Sequence, residues 1–285
     1  MTRLEKRESL IRIALLVVAF SAISVLLVIT VFIFEEGIPI MVKYGFKRFL
    51  FNLDWYPSEK SYGLLPMVIG SIMVTFGALA IGVPFGLACA VFLTEFSSKR
   101  LRRIIKPMIE LLAGIPSVVY GFMGVVILVP FIRETLGGPG LSVLASSIIL
   151  GIMILPTIIS ISVDSLEAVP SAYREGSIAL GATRWQTTRM VMFPAARSGI
   201  IASIILGMGR AIGETMAVIM IAGNAIAIPR SLLDPVRTLT SNIALEMAYA
   251  SGEHRQALFA TGVILFVIIM ILNTIANITS KRRKI

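Results

Sequence analysis

Glu175-Gly176-Ser177, three residues, Gly181, nine residues, Val191, one residue, then Phe193-Pro194: this polar stretch lies between two long apolar segments and decides how the chain reads. A membrane chain has little reason to keep a long patterned loop between two spans unless something docks there. Pro170 breaks the run before it, and Ser171 is expected as an N-cap. Ala172 to Leu180 then reads as a short helix with Glu175 near its positive end. Gly181 suits a sharp reversal, because glycine tolerates positive φ. Trp185 to Phe193 reads as a second short helix stopped by Pro194. The expected product is helix, turn, helix: a knob at residues 171–194 through which a partner can push on the spans. An ordinary polar loop is the plainer alternative.

Working outward, composition places the chain in a bilayer. Apolar residues make up 56% and charged residues 15%, against roughly 25% charged in soluble domains. A helix needs about 20 apolar residues to cross the hydrocarbon. Six segments qualify: Ile13–Phe34, Leu64–Thr94, Pro107–Ile132, Leu141–Val163, Gly199–Ile221 and Ala257–Thr279. Backbone amides cannot go unpaired in lipid, and strand-like alternation is missing, so an all-α polytopic membrane protein with six transmembrane helices is expected. The first run is too long for a signal h-region and ends in Phe34-Glu35-Glu36 without a small-x-small cleavage site, so it reads as an uncleaved span.

Orientation follows the positive charge. The tails and the even-numbered connections, with Arg3, Arg100, Arg103, Arg184 and Arg283 among them, hold seventeen Lys and Arg; the opposite segments hold eight. Both termini and the patterned loop are therefore expected in the cytoplasm. Domain expectations are residues 1–62 for the first span and its outer loop, 63–280 for the core, and 281–285 for a basic tail. Trp55, Tyr56, Tyr44, Tyr62 and Tyr249 fall in outer segments and read as headgroup-level anchors.

Arg210 and Glu214 stand inside the fifth apolar segment. A charge at the bilayer centre costs about 2.5–3.5 kcal/mol on insertion scales. On one continuous helix their i, i+4 spacing puts both on one face, where they can pair. Two readings stay open: a structural ion pair, or an anion pathway in which Arg210 meets an oxyanion. Glu214 would hold Arg210 or accept a proton from the anion. Gly209 and Gly213 form G-x-x-x-G and read as helix-packing positions.

These patterns carry a resemblance. The loop spacing resembles the EAA loop of ABC-importer permeases, with Gly176, Ser177, Val191 and Phe193 as relaxed replacements. The runs Gly209-Arg210-Ala211-Ile212-Gly213-Glu214-Thr215-Met216-Ala217-Val218 and Ile115-Pro116-Ser117-Val118-Val119-Tyr120-Gly121 resemble phosphate importer permeases of the PstC type. The resemblance spans roughly Pro66 to Asn277. It implies the type I (MetI-like) ABC-importer permease fold in the cytoplasmic membrane of a prokaryote. It implies a PstA-like sister subunit, two copies of a PstB-like ATPase gripping Glu175, Gly176, Ser177, Gly181, Val191, Phe193 and Pro194, and a periplasmic or lipid-anchored PstS-like phosphate-binding protein. It implies that Arg210 and Glu214 serve phosphate passage.

Other features narrow the choice. There is no Gly-Lys dipeptide, hence no Walker A loop. ATP and Mg²⁺ would be used by the ATPase partner, and no cofactor or metal is expected on this chain. The basic excess follows from topology and lipid contact, not nucleic acid. Cys89 is the single cysteine and excludes an intrachain disulfide; His254 is the single histidine and reads as solvated. Asn224, Asn242 and Glu246 either line a vestibule or meet water. The alternatives are a permease for molybdate, tungstate or sulfate, and a stand-alone secondary carrier, which would need no docking loop.

Overall fold

The computed structural model describes residues 3–281. The basic tail at 282–285 lies outside the described residues, as do the side chains of Arg3, Lys6, Arg7 and Lys281. Helix α1 (Arg3–Tyr44) and the short α2 (Phe46–Phe51) lead into a small antiparallel hairpin, β1 (Trp55–Tyr56) with β2 (Ser61–Tyr62). Then follow α3 (Leu65–Val91), extended by a π-helical turn at Phe92–Phe96, and α4 (Lys99–Ala113). Next come α5 (Ser117–Met123), a π turn at Gly124–Leu128, α6 (Val129–Thr135) and α7 (Val143–Glu167). The patterned loop holds α8 (Ser171–Ala179), α9 (Arg184–Thr187), a π turn at Thr188–Met192 and α10 (Phe193–Ala195). The chain closes with α11 (Arg197–Gly213), α12 (Met216–Ile221), α13 (Leu239–Glu246) and α14 (Gly252–Lys281).

Five helical stretches are long and apolar enough to cross a membrane: Ile11–Tyr44, Leu65–Phe96, Ser117–Thr135, Val143–Glu167 and Gly252–Ala276. A sixth results if Arg184–Ala195 and Arg197–Gly213, bent by 72° at Ala196, count as one broken span. The third span begins at Ser117 and not at Pro107 as its apolar run suggested. Gly114 to Pro116 interrupts the helix, and residues before a proline leave the α region. The preceding α4 is amphipathic: Arg102 and Lys106 reach Glu167 and Asp164 of α7, while Ile104, Met108 and Leu111 stay exposed. Lys106 lies outside the spans, and its hydrogen bond to Asp164 raises its ammonium above the usual lysine value.

The centre of the fold is α3 against α7. Small residues bring the two backbones together: a Cβ on Gly77 would sit 2.1 Å from Ser147 Oγ, and one on Gly82 or Gly86 would strike Ile154 or Ile158. Val74, Ala78, Leu150, Ile154 and Ile158 form the core there, joined by Ala217 and Ile221 of α12. A second core packs Phe49, Trp55, Tyr62, Leu64 and Met67 against Leu239 and Leu258. Trp55 and Tyr62 are therefore buried, not anchors at the headgroup level, because the hairpin folds them under α14. Helix α1 joins α14 through edge-to-face pairs, Phe32–Phe259 at 5.4 Å and Phe34–Phe266 at 5.7 Å.

Candidate functional site

The patterned loop folds as helix, turn, helix. Gly181 has φ +85°, and a Cβ there would meet nothing within 4 Å, so the requirement for glycine is one of backbone conformation. Ser171 does not cap α8. Pro170 holds the N-cap position, and Ser171 is the first helical residue. The cap that matters is on the second helix: Thr183 accepts from the Gln186 amide, while the Gln186 side chain accepts from Thr183 N–H at 2.8 Å. This capping box satisfies two of the orphan donors at the helix start. The Thr183-x-x-Gln186 spacing is the sequence signal for this cap.

Pro194 does not end the second helix. It occupies an early position of α10, where its missing N–H is harmless, and the bend comes at Ala196. The two short helices are tied by Ser177 and Thr187 hydroxyls 3.0 Å apart. Arg174 pairs with Glu95, whose side chain is 6% exposed, so α8 is bound to the end of α3. Phe193 packs with Leu166, Met192 and Ile200, and Val191 is half-buried. Glu175, Gly176 and Pro194 are exposed, and Leu180 at the tip is 90% exposed beside exposed Tyr173 and Ile178. The tip of the loop is therefore an exposed apolar patch, a feature that marks interaction sites.

The fifth span breaks at its charged residues. Helix α11 ends at Gly213, Glu214 takes an extended conformation (φ −69°, ψ 131°), and α12 starts at Met216. Arg210 and Glu214 consequently do not share a helix face and form no ion pair with one another. The i, i+4 relation holds only on a continuous helix, and this one ends at Gly213. Glu214 instead accepts from the Ala217 amide at 3.2 Å, capping α12, and its carbonyl accepts from the Thr240 hydroxyl at 3.0 Å. Arg210 is half-buried, has no hydrogen-bond or ion-pair partner among the described residues, and lies within electrostatic reach of Tyr120. Gly209 and Gly213 are not helix-packing positions within this chain: a Cβ on either meets nothing within 4 Å. The close contacts around this break come from Gly121 and Gly124 against Ala217 and Ile221.

A half-buried guanidinium without a partner among the described residues thus stands beside a break in the fifth apolar segment, with a structured loop at the other end of the same helix. The family model described as "Binding-protein-dependent transport system inner membrane component" matches residues 82–285. The chain belongs to this family. It is 42% identical over 275 residues to the probable ABC transporter permease protein YqgH of Bacillus subtilis, covering 94% of this chain and 89% of that protein. It is 40% identical over 255 residues to the phosphate transport system permease protein PstC of Mesorhizobium japonicum, covering 82% and 78%. The fold matches a solved structure of inward-facing conformations of the MetNI methionine ABC transporter, with TM-score 0.61 at 20% identity over 77% of this chain and 95% of that one. The chain is thus a multi-pass inner membrane protein with the MetI-like importer fold.

This inner membrane component carries one further polar cluster, on the side of α11 away from the coupling loop. Glu246 accepts from Trp55 Nε1 at 2.8 Å and from Arg237 Nη1 at 2.7 Å, and His254 Nε2 lies 2.8 Å away. Arg237 also donates to Asn242 Oδ1 and to the Asn224 carbonyl. His254 is therefore not solvated, and Glu246 meets protein in place of water, because four segments converge on one carboxylate. No spacing in the sequence links residues 55, 237, 246 and 254; only the tertiary fold does.

Proposed function

We propose that this chain is the membrane permease subunit of an ATP-driven importer that moves inorganic phosphate across the cytoplasmic membrane by alternating access. One observation carries the reading: Arg210, unpaired at the broken fifth span of a chain so similar to proteins named as phosphate permeases. An oxyanion supplies the missing counter-charge in two directed hydrogen bonds. One oxygen of Glu214 caps α12; the other is open to accept from a protonated anion. Hydrogen phosphate offers that proton and sulfate does not, which is why phosphate is preferred over sulfate, molybdate and tungstate.

The remaining assignments follow. No P-loop exists in the sequence, so hydrolysis belongs to a PstB-like ATPase, two copies of which grip the loop at 171–194. A PstA-like sister subunit supplies the other half of the pathway, and a PstS-like binding protein delivers the ion from outside. Both termini and the loop face the cytoplasm. Binding of ATP closes the inner side, and hydrolysis reopens it.

The test is uptake of labelled phosphate by the assembled transporter. Arg210→Gln lowers initial uptake at least tenfold while copurification with the partners is unchanged, and Glu214→Gln weakens discrimination against sulfate. Unchanged uptake in Arg210→Gln reduces this residue to a structural role and removes the main support.

A further inference from the structure

Between the end of α3 and the second half of the coupling loop runs an apolar groove of about 460 Å³. Phe92 and Phe96, four residues apart, form one wall; Trp185, Arg189 and Phe193, again four apart, form the other; Val91 lies between them. Trp185, Phe92 and Phe96 are 58%, 48% and 42% exposed, so the groove is uncovered. Arg189 is exposed and has no hydrogen-bond or ion-pair partner among the described residues. The α3 wall is the last turn of the span-length stretch Leu65–Phe96, and Lys99 and Arg100 follow it directly, so the groove lies at the end of that stretch, where a span meets the headgroup level. The apolar tip residues Tyr173, Ile178 and Leu180 lie on the other helix of the loop and take no part in it. The exposed tip offers a soluble partner a contact on the loop that does not require the groove, although Phe193 belongs to both the loop and the groove.

We infer that the groove binds an anionic phospholipid, with an acyl chain between the two aromatic walls and the phosphate of the headgroup on Arg189. Three features select this ligand. The walls are apolar and aromatic, and the one hydroxyl in the lining, Thr188, already donates to the Arg184 carbonyl. An indole and a guanidinium stand together at one rim, the pairing found at headgroup level. Arg matches a phosphodiester in charge and in fork geometry, and nothing else in the chain neutralises this one. The occupant would brace the second loop helix against α3, so the lipid composition of the membrane would set how stiffly the loop is held. The inference rests on the groove lying at the membrane boundary and not on which solute is transported, and its test leaves uptake aside.

The sequence has two tryptophans, and the other, Trp55, is buried. The difference in emission between the full-length chain and its Trp185→Phe variant therefore isolates the groove. The chain is reconstituted in vesicles containing phosphatidylglycerol or phosphatidylcholine brominated on the acyl chain, and quenching is followed against mole fraction. Trp185 reaches half-quenching at about fivefold lower mole fraction of the anionic lipid, the ratio expected for one basic residue at an anionic surface. Arg189→Gln brings the ratio to about one and Arg189→Lys keeps most of it, as the headgroup contact requires. Equal quenching by both lipids in the unmodified chain overturns the inference, as does an Arg189→Gln variant that keeps the preference. The measurement is repeated in the assembled transporter: persistent quenching supports a lipid site, and its loss shows that protein fills the groove. If Arg189→Gln fails to fold by size exclusion, the ratio in the unmodified chain and in Arg189→Lys still decides.

Discussion

Replacing Glu246 by Gln is the sharpest perturbation of the polar cluster that joins Trp55, Arg237 and His254. The side chain is 8% exposed and accepts from Trp55 at 2.8 Å and Arg237 at 2.7 Å, with His254 Nε2 at 2.8 Å. Gln keeps the shape but has a single acceptor oxygen. With its oxygen toward Arg237, its NH₂ faces the Trp55 N–H; turned over, it faces Arg237. Either way a buried donor is set against a donor, and the guanidinium loses its counter-charge. Removing one partner of a buried pair costs about 3–5 kcal/mol. Arg237 is 15% exposed and keeps Asn242 and the Asn224 carbonyl as acceptors, which argues for the lower end. This chain has 285 residues; with the conversion that holds for somewhat shorter proteins, about 2–4 °C per kcal/mol, a loss of about 3 kcal/mol lowers the melting temperature by about 6–12 °C. Thermal unfolding of the detergent-solubilised chain measures it. The double variant Glu246→Gln with Arg237→Gln should recover part of the loss, because no bare cation remains. A shift within about 2 °C of zero for Glu246→Gln refutes the reasoning, since even an exposed pair is worth about 0–1 kcal/mol.

Gly77→Ala forces a Cβ to 2.1 Å from Ser147 Oγ at the α3–α7 contact and should cost about 1–3 kcal/mol; adding Ser147→Gly should restore the melting temperature. Gly181→Val places a β-branched residue at φ +85°, where it is strongly disfavoured. The expected result is an unchanged melting temperature with weakened ATPase stimulation and uptake in the assembled transporter; full coupling would count against the docking role. Thr183→Ala removes the capping box, a loss of about 1 kcal/mol, and amide exchange over residues 184–187 should rise about fivefold. If exchange there does not change, the cap is not what orders the second loop helix.

Where the sequence was readable, the physics was local or periodic. Apolar runs near 20 residues marked the spans because lipid leaves the backbone no alternative, and Gly181 marked the turn because its φ is open to few other residues. What stayed hidden was non-local or concerned breaks. The run from Pro107 reads as part of a span, but it continues α4, whose polar face, Arg102 and Lys106, is explained only by Glu167 and Asp164 some 60 residues on. Pro194 looked like a stop but sits where proline is tolerated. Trp55 looked like an anchor and His254 like a solvated residue; both meet at Glu246, which no spacing could show.

The break at Glu214 changes what the charged pair can do. On an unbroken helix Arg210 and Glu214 would satisfy each other, and a self-satisfied pair has little left for a passing anion. In the structure Glu214 caps α12, and Arg210 keeps an uncompensated charge in a span, a state that costs about 2.5–3.5 kcal/mol on insertion scales. On the proposed reading, relief of that penalty is what a counter-ion would gain at Arg210. Gly209 and Gly213 on the same turns leave the backbone bare, so nothing on this helix walls the cation off. Arg210 also stands near the end of a continuous 17-residue helix whose other end is the 72° bend into the coupling loop. At 1.5 Å per residue that rod is about 25 Å long. In the proposed coupling, a displacement imposed on the loop meets one stiff element before it meets the cation, because the breaks in the helix lie outside that element, at Ala196 and at Glu214.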